Sequence, residues 1–298
     1  DGIREQPRSR GLGDVYKRQI FNSAGETLMR TGSPDAQLEA EVLIRHVLRI
    51  DRATFFRDLE QPVTDCDMEH LDDLVNRRLN REPLNYITGL REFYGLDFEV
   101  SDSVLIPRQE TELLVDTVIS LARSRPKCEM KICDIGTGSG AIAVSVAVNL
   151  PSAEVMAIDI SQRALDIADA NRRMHGVYNR VSLRRGNLLE PVDWKPEIIV
   201  SNPPYIRRSD LSLLQPEIQY EPSVALDGGP DGLEVIRGLL RQSSDKVSST
   251  GAILFEIDSS QKDSARMLSR EYFPNSEISI LDDLSGNSRA ILIEKFDL

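Results

Sequence analysis

From about residue 130 onward, short apolar runs and longer amphipathic stretches take turns along the chain. The runs predict strands at 131–135, 154–159, 180–184, 197–201 and 252–257, with two more near 276–281 and 289–295. The stretches between them, at 139–149, 161–175, 231–248 and 259–272, carry apolar residues at helical spacing. Apolar runs of strand length are buried on both faces, and alternation with helices implies an open, mostly parallel α/β sheet with helices on either side.

The chain ahead of this region has a different rhythm. Residues 20–82 read as a small helical module. Ser33-Pro34-Asp35 predicts a helix start, followed by Ala36, Ala40, Leu43, Val47 and Ile50 on one face. Thr64 opens a second helix with Met68, Leu71, Val75 and Leu79 in line, and Arg77, Arg78 and Arg81 gather at its negative end. Residues 83–108 read as a linker over 82–89 and a β-hairpin turning at Gly95-Leu96-Asp97; the rest, 109–298, forms the α/β domain. The first 19 residues fit neither pattern. Asp14-Val15-Tyr16-Lys17-Arg18-Gln19 resembles a translated sequencing adapter, so 1–19 is set apart from the expected fold as a non-native segment.

Two motifs carry chemistry. Asp134-Ile135-Gly136-Thr137-Gly138-Ser139-Gly140 joins the first strand of the α/β region to its first helix. Glycines at such a turn let backbone approach a ligand beside a helix N-terminus. The spacing is G-x-G-x-G, which suits a nucleoside ligand without a pyrophosphate, S-adenosylmethionine rather than NAD. Asp159 ends the next strand, where an acid suits a ribose diol. The second motif, Asn202-Pro203-Pro204-Tyr205, follows the apolar run 198–201. Asn brings an acceptor and a donor, the prolines remove backbone donors, and Tyr brings a flat face. Together they suit a planar NH2 group held by two acceptors; the alternative is a Pro-rich turn after a strand. Asp134, Asp159 and Asn202 all fall at C-terminal strand ends, where ligands of open α/β sheets bind.

Composition narrows the partners. The 298 residues carry a net charge of −12, opposite in sign to a phosphate-binding surface. Cys66, Cys128 and Cys133 form no C-x-x-C pair, and His46, His70 and His175 match no metal or triad spacing. No apolar run approaches the ~18 residues of a membrane span. A cytoplasmic protein with reduced thiols and no metal is expected, with neither nucleic acid nor membrane as partner.

The chain resembles the HemK/PrmC family of N5-glutamine methyltransferases. The similarity covers about residues 33–295. It is carried by Arg81-Glu82-Pro83-Leu84, Leu105-Ile106-Pro107-Arg108 with Glu110-Thr111-Glu112, the glycine loop, Asn202 to Tyr205, and Ala225-Leu226-Asp227-Gly228-Gly229 with Asp231-Gly232-Leu233. The resemblance implies a seven-stranded, Rossmann-like class I methyltransferase domain behind a helical N-terminal domain that selects the partner. It implies S-adenosylmethionine as methyl donor and the glutamine of a Gly-Gly-Gln loop in peptide chain release factors as acceptor. By position, Gly136, Thr137, Gly138, Ser139 and Gly140 would line the donor's methionine portion, Asp159 its ribose, and Asn187 and Leu188 its adenine. Asn202, Pro203, Pro204 and Tyr205 would hold the acceptor amide, with Asn202 also bordering the donor. The chain has Gln109, Asn187 and Asp258 where the family usually has Pro, Asp and Gly. Residues 207–230 are expected to face the substrate as a lid. The rival readings are a glutamine methyltransferase of a ribosomal protein, an adenine-N6 methyltransferase of nucleic acid, and a donor-binding protein without catalysis.

Overall fold

The computed structural model describes residues 15–125 and 130–295, which fall into two compact units, one ending at Thr88 and one beginning at Gly89. Residues 1–14 and Cys128 lie outside the described residues.

The first unit contains β1 (Val15–Tyr16), α1 (Lys17–Leu28), α2 (Ala36–Leu48), α3 (Arg52–Arg57), β2 (Pro62–Val63), α4 (Asp65–Leu79) and α5 (Leu84–Thr88). Its core joins Leu28 of α1, Ala40, Leu43 and Ile44 of α2, Phe55 of α3, and Leu71, Leu74 and Val75 of α4. Helix α4 starts where the sequence predicts, with the Thr64 hydroxyl accepting from the Asp67 N–H. Helix α2 starts later than Pro34, at Ala36, while the Ser33 hydroxyl reaches forward to the Glu39 carboxylate.

Residues 82–89 are not all linker, because Pro83 accepts from the N–H groups of Tyr86 and Ile87 and nucleates α5. Arg78, in the last turn of α4 as expected, is also buried and donates twice to Glu39, each bond 3.0 Å. The segment 1–19 is not wholly apart from the fold, since β1 pairs with β2 and α1 begins at Lys17 to bury Ala24 and Leu28.

The second unit opens with β3 (Leu90–Phe93) and β4 (Leu96–Glu99). The hairpin turns at Tyr94 and Gly95, both at positive φ (53° and 71°), and not at 95–97. Two left-handed residues give the turn a twist that matches its strands. Then follow α6 (Glu112–Ser124), β5 (Met130–Ile135), α7 (Ala141–Asn149), β6 (Ala153–Asp159), α8 (Gln162–Met174), β7 (Val181–Arg185), β8 (Ile198–Ser201), α9 (Glu234–Lys246), β9 (Ala252–Glu256), α10 (Lys262–Tyr272), β10 (Glu277–Asp282) and β11 (Ser288–Glu294).

Seven strands form one sheet in the order β10-β11-β9-β8-β5-β6-β7. The five from β9 to β7 run parallel; β11 runs against them, and β10, antiparallel to β11, points the same way as the five. Side chains alternate between two cores, as period-2 geometry requires. Ile132, Ile198, Val200 and Leu254 pack on one face with α6 and α7; Cys133, Ile199, Ile253 and Phe255 pack on the other with α9 and α10. From β5 the chain moves outward to β6 and β7, then returns to β8 on the opposite side. That reversal leaves a crevice beyond the C-terminal ends of β5 and β8, where such sheets bind ligands.

Candidate active site

The glycine turn leaves β5 with Gly136, Gly138 and Gly140 at φ of 70°, 56° and 81°. These are left-handed conformations that L side chains rarely adopt. Asp159, at the end of β6, fastens the turn: the Gly138 N–H donates to its Oδ2 and the Ser161 N–H to its Oδ1, each at 2.9 Å. Burial raises the Asp159 pKa, and these backbone donors oppose the shift. Asp134 is fully buried beneath the turn and accepts from the Thr137 hydroxyl and the Ala143 N–H. Its Oδ1 has no partner among the described residues, and burial pushes its carboxyl up to about 7.

A cavity of 220 Å³ lies against this turn. Gly136, Thr137, Gly138 and Ser139 form one wall and Asp159 and Ile160 another, while Asn187, Leu188, Asn202 and Pro204 close it. Gly140 does not line it; a Cβ there would stand 3.3 Å from the Ala168 Cβ, so this glycine serves helix packing. Leu188 sits at φ 54° while its side chain packs on the second core, a strained non-glycine conformation held by its surroundings. Asn187 is exposed, and its Nδ2 donates to Glu190, which leaves its side-chain oxygen as the acceptor. The lining is mostly apolar and includes an acid, Asp159, and an amide acceptor, Asn187. That suits a nucleoside carrying an apolar base, a diol and an amine.

A second cavity, of 130 Å³, is lined by Arg108, Asn202, Pro203, Tyr205 and Ile218. Asn202 borders both cavities and forms part of the wall between them. Its Nδ2 donates to the Thr111 hydroxyl (3.0 Å), which donates to Glu256 Oε2 (2.7 Å), and the Tyr205 hydroxyl donates to Glu256 Oε1 (3.2 Å). Thr111 and Glu256 are buried, and burial pushes the Glu256 carboxyl up to about 7. Burial beside that carboxylate also raises the Tyr205 phenol. Arg108 donates to Glu221 at 2.6 Å, tying the segment before α6 to the loop after β8.

Residues 207–230 are built from short 3₁₀ turns and include Glu221, while Gly228 and Gly232 lie behind Tyr205. Gly232, at φ 76°, leaves no room for a Cβ, which would come within 2.5 Å of the Tyr205 carbonyl oxygen and of Gln261 Nε2. Gln261 itself donates to that carbonyl at 2.9 Å. Gly232→Ala is therefore expected to destabilise the protein by roughly 2–3 kcal/mol, lowering Tm by about 4–10 °C. A melting curve that overlays the wild type would refute this brace.

Sequence reasoning missed Thr111, Glu256 and Ile160. The signal for Glu256 was a carboxylate ending the buried run 252–255; Thr111 stood in the Glu110-Thr111-Glu112 motif with no role attached, and Ile160 gave no signal. The unusual residues are accommodated. Asp258 has an ordinary φ of −71° and caps the 3₁₀ turn Ser259–Gln261, and exposed Gln109 begins another. A larger hollow of 730 Å³ in the first unit, lined by Arg45, His46, Arg49 and His70 among others, contains none of the predicted site residues. Among the described residues no helix is long and apolar enough to cross a membrane.

Comparison with known proteins gives this architecture relatives. Residues 19–89 match the family described as PrmC N-terminal domain, and residues 109–217 match the methyltransferase small domain. Over 259 residues, 86% of this chain and 89% of the relative, the sequence is 39% identical to the release factor glutamine methyltransferase of Geobacter sulfurreducens. It is also 39% identical to the enzyme of that name from Moorella thermoacetica, over 92% of this chain and 97% of the relative. The solved structure of a methyltransferase from Pyrococcus furiosus superposes with a TM-score of 0.50 over 68% of this chain and 90% of its own, at 17% identity, which speaks to the fold alone. Identity of this extent, over 86–92% of this chain and most of each relative, makes the chain a member of the release factor glutamine methyltransferase family.

Proposed function

We propose that this protein transfers a methyl group from S-adenosylmethionine to the side-chain nitrogen of the glutamine in the Gly-Gly-Gln loop of peptide chain release factors. The observation that carries the reading is Asn202 in the wall between two cavities, its NH2 tied back to Thr111. The names of the relatives support the acceptor.

The donor supplies a methyl group on a positively charged sulfonium. The chain's own part is placement. Backbone of the glycine turn lies against the donor's amino-acid portion, Asp159 accepts from its ribose, and Ile160, Asn187 and Leu188 border its base. In the second cavity, Asn202 Oδ1 and the Pro203 carbonyl accept the two hydrogens of the glutamine NH2, and Tyr205 lies along the amide plane. A carboxamide lone pair is delocalised into its carbonyl, so the nitrogen is a weak nucleophile. Two acceptors on its hydrogens turn it toward the methyl group and stabilise positive charge as it builds there. Such orientation can supply roughly 7–11 kcal/mol at best. The proton leaves after transfer, when the nitrogen is far more acidic.

The test is transfer of labelled methyl to a purified release factor, to its Gly-Gly-Gln→Gly-Gly-Ala variant, to ribosomal proteins and to a nucleic-acid pool. Label on the wild-type factor alone is expected. Label on nucleic acid or on a ribosomal protein would overturn the reading.

A further inference from the structure

We infer that Thr111 and Glu256 are positioning residues for this transfer: the Glu256 carboxylate sets the direction of the hydrogen bonds through Thr111, so that the Asn202 amide offers its oxygen, and not its NH2, to the acceptor. The inference rests on the glutamine reading for its rate consequence, but its geometry stands apart from any substrate.

An ionised carboxylate can only accept. Glu256 accepts from Thr111 at one oxygen and from Tyr205 at the other. The Thr111 hydroxyl has one hydrogen, which is committed to Glu256 at 2.7 Å. Toward Asn202 it can then only accept, and it does so from Nδ2 at 3.0 Å. Asn202 Oδ1 is thereby turned away from Thr111, into the wall of the two cavities. Rotating the amide by half a turn would set two acceptors against each other. Each group comes from a different part of the fold: Thr111 from the turn before α6, Glu256 from the end of β9, Asn202 from the end of β8. Thr111 and Glu256 are 4% and 3% exposed, so bulk water does not reset the order.

Protonating Glu256 removes this constraint, because a carboxylic acid can donate to Thr111 and leave the hydroxyl free to donate to either face of the amide. The groups facing Glu256 are Thr111 and Glu110 from the turn before α6, Tyr205 from the loop after β8, and Arg289 from β11, itself paired with Asp283. Burial dominates and raises the carboxyl to about 7. The sign follows: the ordered relay is present above that pH and is lost as pH falls through it.

The full-length protein, labelled donor and a release factor provide the rate test. Thr111→Val, which keeps the shape and removes the hydroxyl, is expected to lower kcat at least about tenfold. Donor Kd should stay within roughly threefold, a difference below ~1 kcal/mol. Thr111→Ser should restore most of kcat. In Glu256→Gln the acidic limb of kcat near pH 7 should vanish; a limb that persists assigns it elsewhere, for instance to Asp134, and overturns the inference. So does wild-type kcat in Thr111→Val.

A second readout needs no acceptor. In the free protein the side-chain NH2 signal of Asn202, identified by its loss in Asn202→Asp, should shift with pH around 7 and lose exchange protection in Thr111→Val. In Glu256→Gln that titration should be absent. An Asn202 signal indifferent to Thr111→Val and to pH refutes the relay whatever the substrate. If instead the relay behaves as described and no release factor is methylated, the failure belongs to the acceptor reading.

Discussion

Asn202→Ala lowers the rate of methyl transfer at saturating donor and acceptor by ~10²–10³-fold, the usual cost of removing one placed hydrogen-bonding group from a transition state. Three observations lead to this figure. Asn202 stands in the wall shared by the two cavities. Its amide is fixed through Thr111, so the lost oxygen was already oriented and carried little reorganisation cost. Alanine leaves only the Pro203 carbonyl to receive two hydrogens, and the nitrogen can turn off the line of attack. Donor affinity should change by less than about threefold, because the glycine turn, Asp159 and Leu188 remain. The decisive pair of measurements is single-turnover transfer and donor titration on the same variant. A rate loss matched by an equal loss of donor affinity would move Asn202 from the acceptor to the donor.

Asp159→Ala should weaken donor binding by about 10–100-fold, the range for one or two hydrogen bonds to a charged group. The effect is double. The variant removes the acceptor for a ribose diol, and it releases the N–H groups of Gly138 and Ser161. Asp159→Asn should be nearly as damaging, for the same reason. One of its side-chain atoms would be an NH2 facing a backbone N–H, donor against donor. Calorimetry of donor binding settles the point: a Kd unchanged in Asp159→Ala would remove the acid from the donor site.

The fold was legible where one local rule decided each element. The runs 131–135 and 197–201 are short, rich in isoleucine and bounded by polar residues, as in a strand covered on both faces, and the observed strands, Met130–Ile135 and Ile198–Ser201, differ by a single residue at the start. The glycine turn could be read because only glycine tolerates three left-handed positions so close together. What escaped was what the chain brings together from afar. Thr111 reads as a residue near a helix start and Glu256 as the end of a strand; their hydrogen bond spans 145 positions. Arg78 looked like a charge at a helix end, and only the position of Glu39, 39 residues earlier, buries it. The segment after Pro83 was misread because proline signals both a stop and a start, and the start prevailed when Tyr86 and Ile87 found a core.

The returning path of the sheet also orders its assembly in time. During synthesis the chain emerges from its N-terminal end, and β5, β6 and β7 are made before Ile198 arrives to pair with Ile132. Until then one edge of the central strand β5 is bare, a sticky edge in a half-made protein. Closing it requires contact across 66 positions, the kind of distant pairing that makes folding slow. The glycine turn and Asp159 therefore exist on the nascent chain before Asn202, and Asn202 before the Glu256 that orients it.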